Sequence, residues 1–271
     1  MTRTGSGVHQ SFCDRVAMAQ QALPERGARL GRPMGAAAAR RTVHGVVLLL
    51  PEGEPNGTRR PSRLSVAATL PLARRLVRAG REEGLAAHVV HYRRRGWNGV
   101  AADAASDAAW AVEEVVRRYG DVPICLIGHG MGGRAALRAA GHAAVTSVVA
   151  LAPWLPAPDE LLEPEPVKQL VGRQVLIAHG TNDERTDPEL SYRLAERAKK
   201  ANRDVCRFEV HTDGHGLHQH RSEVQALAVD FLLGTLFHSG FSRPVADALA
   251  APPPLGLRMP LASGFGANLG H

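Results

Sequence analysis

The chain has 271 residues, 44% hydrophobic and 22% charged, with a formal net charge of +7; these shares lie near globular averages and argue against a disordered or fibrous chain. The charge invites a nucleic-acid reading, but residues 1–41 hold seven arginines against Asp14 and Glu25 and leave the middle of the chain close to neutral, so no phosphate-tracking groove is expected. The absence of any run of about 18 apolar residues argues against a membrane-spanning helix, and Cys13, Cys125 and Cys206, three cysteines without metal spacing, point to a reducing, cytoplasmic setting.

Residues 1–41 mix Gly, Ala, Arg and polar residues without sustained periodicity and read as a poorly ordered basic arm. From 42 to 238, short apolar runs ended by Gly or Pro alternate with amphipathic stretches. That is the pattern of parallel strands joined by helical crossovers, so one α/β domain is expected. Strands are predicted at 43–50, 85–92, 123–128, 145–152, 174–178 and 205–210, and helices at 65–80, 101–119, 131–141, 188–202 and 218–237. Pro71 is expected to bend the first helix. From Ser239 onward, Pro252, Pro253, Pro254 and several glycines suggest a flexible tail. In an open parallel sheet the ligand site lies at the carboxyl ends of the strands.

The most informative segment is Gly128-His129-Gly130-Met131-Gly132-Gly133, where an apolar strand turns sharply into a helix. Glycine at its centre tolerates a positive φ without a Cβ penalty. Gly128, Gly130 and Gly133 also satisfy Gly-x-Gly-x-x-Gly, a dinucleotide fingerprint. That fingerprint belongs to a first βαβ unit with an acid about twenty residues on, whereas this turn follows the third recognisable strand and leads to an apolar run.

The segment resembles the nucleophile elbow of the α/β hydrolases, written Gly-x-Ser-x-Gly and often Gly-His-Ser-Met-Gly-Gly, with Gly130 where the family has serine. The resemblance spans about 43–238 and implies an α/β-hydrolase fold: a mostly parallel central sheet, helices on both faces and no large lid. It also implies that Asp183, in Thr181-Asn182-Asp183-Glu184, holds the position of the triad acid, and that His215, in Asp213-Gly214-His215-Gly216, holds that of the imidazole. Asp187, just before Pro188, reads instead as a helix cap. The acid and histidine loops are similar to those of prolyl-oligopeptidase-like and dienelactone-hydrolase-like members.

In the oxyanion region the family often carries a His-Gly pair, where this chain has Pro51-Glu52-Gly53, and Met131 follows the elbow centre. A Glu52 carboxylate pointing inward opposes a developing oxyanion; pointing outward it is solvated. His129 is assigned to the same region. Trp97 and Trp154 either line the pocket or anchor their loops. His211, His215, His218 and His220 lack the carboxylate or cysteine spacing of a metal site, so neither metal nor cofactor is expected.

The resemblance implies a carboxylic-ester or amide hydrolase, yet removing the serine of such a triad costs about 10⁶ in turnover. Any hydrolysis is expected to use water activated by His215 and Asp183. The alternatives are a non-catalytic binding or scaffold pseudoenzyme, an otherwise active hydrolase in which Gly130 replaces the serine, and, as a minor reading, a nucleotide-binding turn. An ester-like small molecule is the expected partner, with neither nucleic acid nor membrane; nothing in the sequence points to an oligomeric state.

Overall fold

A computed structural model describes residues 27–157 and 164–267. Its centre is six parallel strands: β3 (Gly45–Leu50), β4 (Leu85–His91), β5 (Ile124–His129), β6 (Val145–Leu151), β7 (Gln174–Gly180) and β8 (Val205–Val210). Their order across the sheet is β4-β3-β5-β6-β7-β8. Strand residues point alternately to the two faces, and both faces are apolar. Val46, Leu48 and Leu50 of β3 join one buried cluster, whereas Val47 and Leu49 join the other. This two-sided burial is why the strands read as unbroken apolar runs.

Helices cover both faces. On one side lie α2 (Asp103–Tyr119), α3 (Met131–Ala139) and α4 (Pro188–Ala201), which contribute Val112, Ala136 and Leu194. On the other lie α1 (Arg63–Ala79) and α5 (Arg221–Phe237), with Leu76, Leu227 and Phe231 in the core. α1 starts where the Ser62 hydroxyl accepts from the Leu64 amide, and it continues through Pro71. α4 starts with Asp187 accepting from the Glu189 amide at 2.8 Å and Pro188 in its first turn, a side-chain cap followed by a proline whose missing N–H has no helical partner to lose.

The ends of the chain require a correction. The part of the arm from 27 to 41 is built into the sheet: β1 (Arg29–Leu30) and β2 (Met34–Gly35) both run antiparallel to β4. They cover an edge that would otherwise present free backbone groups. Residues 1–26, including the remainder of the arm and Cys13, lie outside the described residues. The tail is not a loose extension either. It forms α6 (Arg243–Ala250), which buries Val245 and Ala248, and then β9 (Met259–Pro260), parallel to β8. The Lys199 ammonium donates to the carbonyls of Val205 and Leu249 at 2.7 and 2.9 Å, tying the tail to α4 and β8. A proline run signals the end of a helix, and it hides the short amphipathic helix just before it.

The carboxyl ends of β3, β5, β7 and β8 lie along one edge of the sheet, so the loops holding Glu52, Gly130, Asp183 and His215 converge there. Among the described residues, no helix is long and apolar enough to cross a membrane.

Candidate active site

β5 passes into α3 with Gly130 as the only intervening residue. Gly130 has φ 54° and ψ −119°, a conformation that L side chains rarely adopt and that persists only where its surroundings enforce it. The enforcement is visible in the backbone: the Gly130 amide donates to Leu151, and the Gly130 carbonyl accepts from Gly133 and Trp154. Strand and helix also approach closely, since a β-carbon on Gly128 would lie 2.0 Å from the Gly132 carbonyl oxygen. The turn is a tight strand-to-helix turn, and its central residue carries no hydroxyl.

Asp183 and His215, named from the sequence, come together. The His215 Nδ1–H donates to Asp183 Oδ2 at 2.8 Å. That carboxylate also accepts from His179 Nε2 at 3.1 Å, from the Thr186 hydroxyl at 2.7 Å, and from the Arg185 and Thr186 amides. Burial alone would raise the Asp183 pKa; these bonds outweigh it and hold the carboxyl well below its usual range. His179, buried on β7, is shifted down chiefly by its burial.

The other ring nitrogen of His215 is not left for water. Glu52 turns inward from the loop after β3, and its Oε1 lies 3.1 Å from His215 Nε2. Its Oε2 lies 3.6 Å from His129 Nδ1, and Arg185 holds Oε1 from outside at 2.9 Å. A β-carbon on residue 130 would come within 3.0 Å of Glu52 Cγ and 3.3 Å of His215 Nε2. Glu52 therefore crowds the space next to the imidazole that a serine side chain would need. Of the two orientations the sequence left open, the inward one is observed.

The charges follow. Burial opposes the His215 cation, but hydrogen bonds to Asp183 and Glu52 outweigh it and push the pKa up to about 9. Burial likewise opposes ionisation of Glu52, and the two histidines overcome it and hold the carboxyl well below its usual range. At neutral pH the arrangement is carboxylate, imidazolium, carboxylate. His129, the last residue of β5, donates from Nε2 to the His215 carbonyl at 2.8 Å, which braces the histidine loop.

Glu52, His129 and His215 line a cavity of about 480 Å³ between the sheet edge and the helices α1 and α5. Its remaining wall is largely apolar, with Leu49, Ala68, Leu72, Leu217 and Val224, and Arg185 and Arg221 stand at its polar side. Trp97 and Trp154 do not line it, which corrects one of the two sequence readings. They stack against the buried Arg134 guanidinium, 3.9 and 4.9 Å from its carbon, while Arg134 also pairs with Glu165 at 2.7 Å. A cation on α3 draws both indole faces behind the elbow. Gly53 packs against Met131 and the Arg95 carbonyl, and Met131 is buried as the first residue of α3. Sequence reasoning missed Arg185, His179 and Thr186; their signal was proximity to Asp183 in the acid loop.

No family model matches the chain, and no curated protein matches it significantly. Solved structures do. An esterase of Pyrococcus furiosus, Pf2001, is 16% identical, over 72% of this chain and 82% of its own, with a TM-score of 0.55. TT1662 from Thermus thermophilus is 16% identical over 78% and 99%, with a TM-score of 0.56. An alpha-beta serine hydrolase homologue from Coxiella burnetii is 16% identical over 76% and 90%, with a TM-score of 0.51. Together with the mostly parallel sheet and its helix-covered faces, these likenesses show that the chain has the α/β-hydrolase fold.

Proposed function

We propose that this protein is a hydrolase-fold receptor for a small, largely apolar ester-like or acyl ligand, and that it makes no acyl-enzyme. The observation that carries this reading is the Glu52 carboxylate on His215 Nε2, beside a Gly130 that has no hydroxyl. A working serine triad needs that nitrogen free to take the hydroxyl proton. Here it already carries a proton and faces a second carboxylate. A cavity of about 480 Å³ with an apolar wall and a few convergent polar groups suits a small organic ligand.

The intact contact between Asp183 and His215 favours a second reading, slow hydrolysis by water that the imidazole activates. With its pKa near 9, the imidazole is a base only at alkaline pH, so this route is weak at neutrality. The nucleotide reading has less support, since Glu52 sets a negative charge at the N-terminus of α3, where a phosphate would be held. The buried free thiols of Cys125 and Cys206 are in keeping with a reducing, cytoplasmic setting.

Binding is tested by thermal-shift titration with short- and medium-chain carboxylic esters, comparing the parent chain with Leu72→Trp, which fills the cavity. Stabilisation by esters in the parent alone, without release of alcohol, is the expected result. Rapid turnover at neutral pH would refute the receptor reading.

A further inference from the structure

The residues that displace serine chemistry are also arranged as metal ligands. His129 donates from Nε2 to the His215 carbonyl at 2.8 Å, so Nδ1, 3.6 Å from Glu52 Oε2, is the ring atom that faces Glu52 and can coordinate. His215 donates from Nδ1 to Asp183 at 2.8 Å; its Nε2, 3.1 Å from Glu52 Oε1, gives up its proton to solvent when a cation binds and becomes the second coordinating atom. Each imidazole is thus oriented by an acceptor behind it, the outer-shell arrangement that fixes tautomer and ring plane in metal sites.

One ligand atom from each of Glu52, His129 and His215 lies within 4.8 Å of the other two. Around a zinc ion with bonds of about 2.0–2.1 Å, tetrahedral ligands stand about 3.3 Å apart; a small inward shift of the half-buried Glu52 and His129 side chains meets that geometry. Gly130 contributes no side chain to obstruct it, and the group opens on the cavity. Arg185, whose side chain is 65% exposed, can turn to solvent when a cation takes its place beside Glu52.

We infer that Glu52, His129 and His215 form a binding site for a first-row divalent cation of the zinc type, with its open coordination position facing the cavity. Two imidazoles and one carboxylate suit zinc, and three protein ligands leave a fourth position for water or for a ligand oxygen. The donors come from two separate loops and from a strand end, which is why no metal spacing appears in the sequence. This inference rests on the reading of a serine-free elbow and adds an ion to it.

The test is calorimetric titration of zinc sulfate into chelator-treated, tag-free protein at pH 7, together with the visible spectrum of the cobalt form. The expected result is about one ion per chain and the intense visible bands of a four- or five-coordinate cobalt site. Glu52→Ala and His129→Ala should each weaken binding by about tenfold or more, whereas His211→Ala, on the exposed loop, leaves it unchanged; circular dichroism checks that each variant is folded. Absence of binding in the parent, or equal binding in the Glu52→Ala and His129→Ala variants, would overturn the site. Those outcomes leave the serine-free reading standing, because that reading is judged separately by fluorophosphonate labelling of the parent chain.

Discussion

Glu52 and His215, separated by 163 positions in the chain, meet at 3.1 Å, on the ring nitrogen that a catalytic serine would use. The contact converts the histidine of a triad-like pair into the middle of a carboxylate, imidazolium, carboxylate array.

Removing the Glu52 charge should release His215. In metal-free protein, Glu52→Gln is expected to lower the His215 pKa from about 9 by about one unit or more, equivalent to about 1.4 kcal/mol per unit. Proton NMR titration of the ring measures it, and an unchanged midpoint would mean that Asp183 alone sets the charge.

Stability should depend on pH from both sides. The His215 pKa is raised on folding from 6.5 to about 9, so its contribution is complete below about pH 6.5 and lost as pH rises through about 9. Glu52 and Asp183 are lowered from 4.5 and 3.8, so theirs is present above those values and lost as pH falls through the acid range. Urea midpoints of metal-free protein should therefore be highest between about pH 5 and 6.5, and Glu52→Gln should flatten the alkaline side.

The core of the fold was legible because both sheet faces are buried: strands such as Gly45–Leu50 and Val205–Val210 stand out as apolar runs whichever face they present. The tight turn at Gly128–Gly133 was legible because its glycines are required by close approach, and Asp183 and His215, singled out from the resemblance of their loops, are in contact. Glu52 was only half legible. A carboxylate on a loop carries no periodic signal of its direction, and its partners lie far along the chain. Trp97 and Trp154 misled because their pull toward Arg134 is a contact between separate segments. The tail misled because Val245, Ala248, Leu257 and Leu261 are too few to form a pattern, although they fill the space beside β8.

Docking of the tail predicts a stability cost on truncation. A chain ending at residue 238 loses the buried Val245, Leu257 and Leu261 side chains, each contributing about 1.5–3 kcal/mol. Its thermal transition should fall by about 10 °C or more. An unchanged transition in scanning calorimetry would show that the tail is not part of the core.

Arg134 is the brace behind the elbow. Arg134→Met leaves the buried Glu165 with Arg138 as its remaining side-chain ion-pair partner, and loses the cation between two indoles. A cost of about 3 kcal/mol in urea denaturation is expected, the lower end for breaking a buried pair. A change below about 1 kcal/mol would place Arg134 among ordinary surface pairs.

If Glu52 stands in place of a nucleophile's hydroxyl, fluorophosphonate labelling at neutral pH will separate the parent chain, Gly130→Ser, and Gly130→Ser combined with Glu52→Ala. The parent should remain unlabelled, the single variant should label poorly because Glu52 crowds the new β-carbon at 3.0 Å, and the double variant should label at position 130. Stoichiometric labelling of the parent, or a single variant as reactive as the double, would show that Glu52 does not displace serine chemistry.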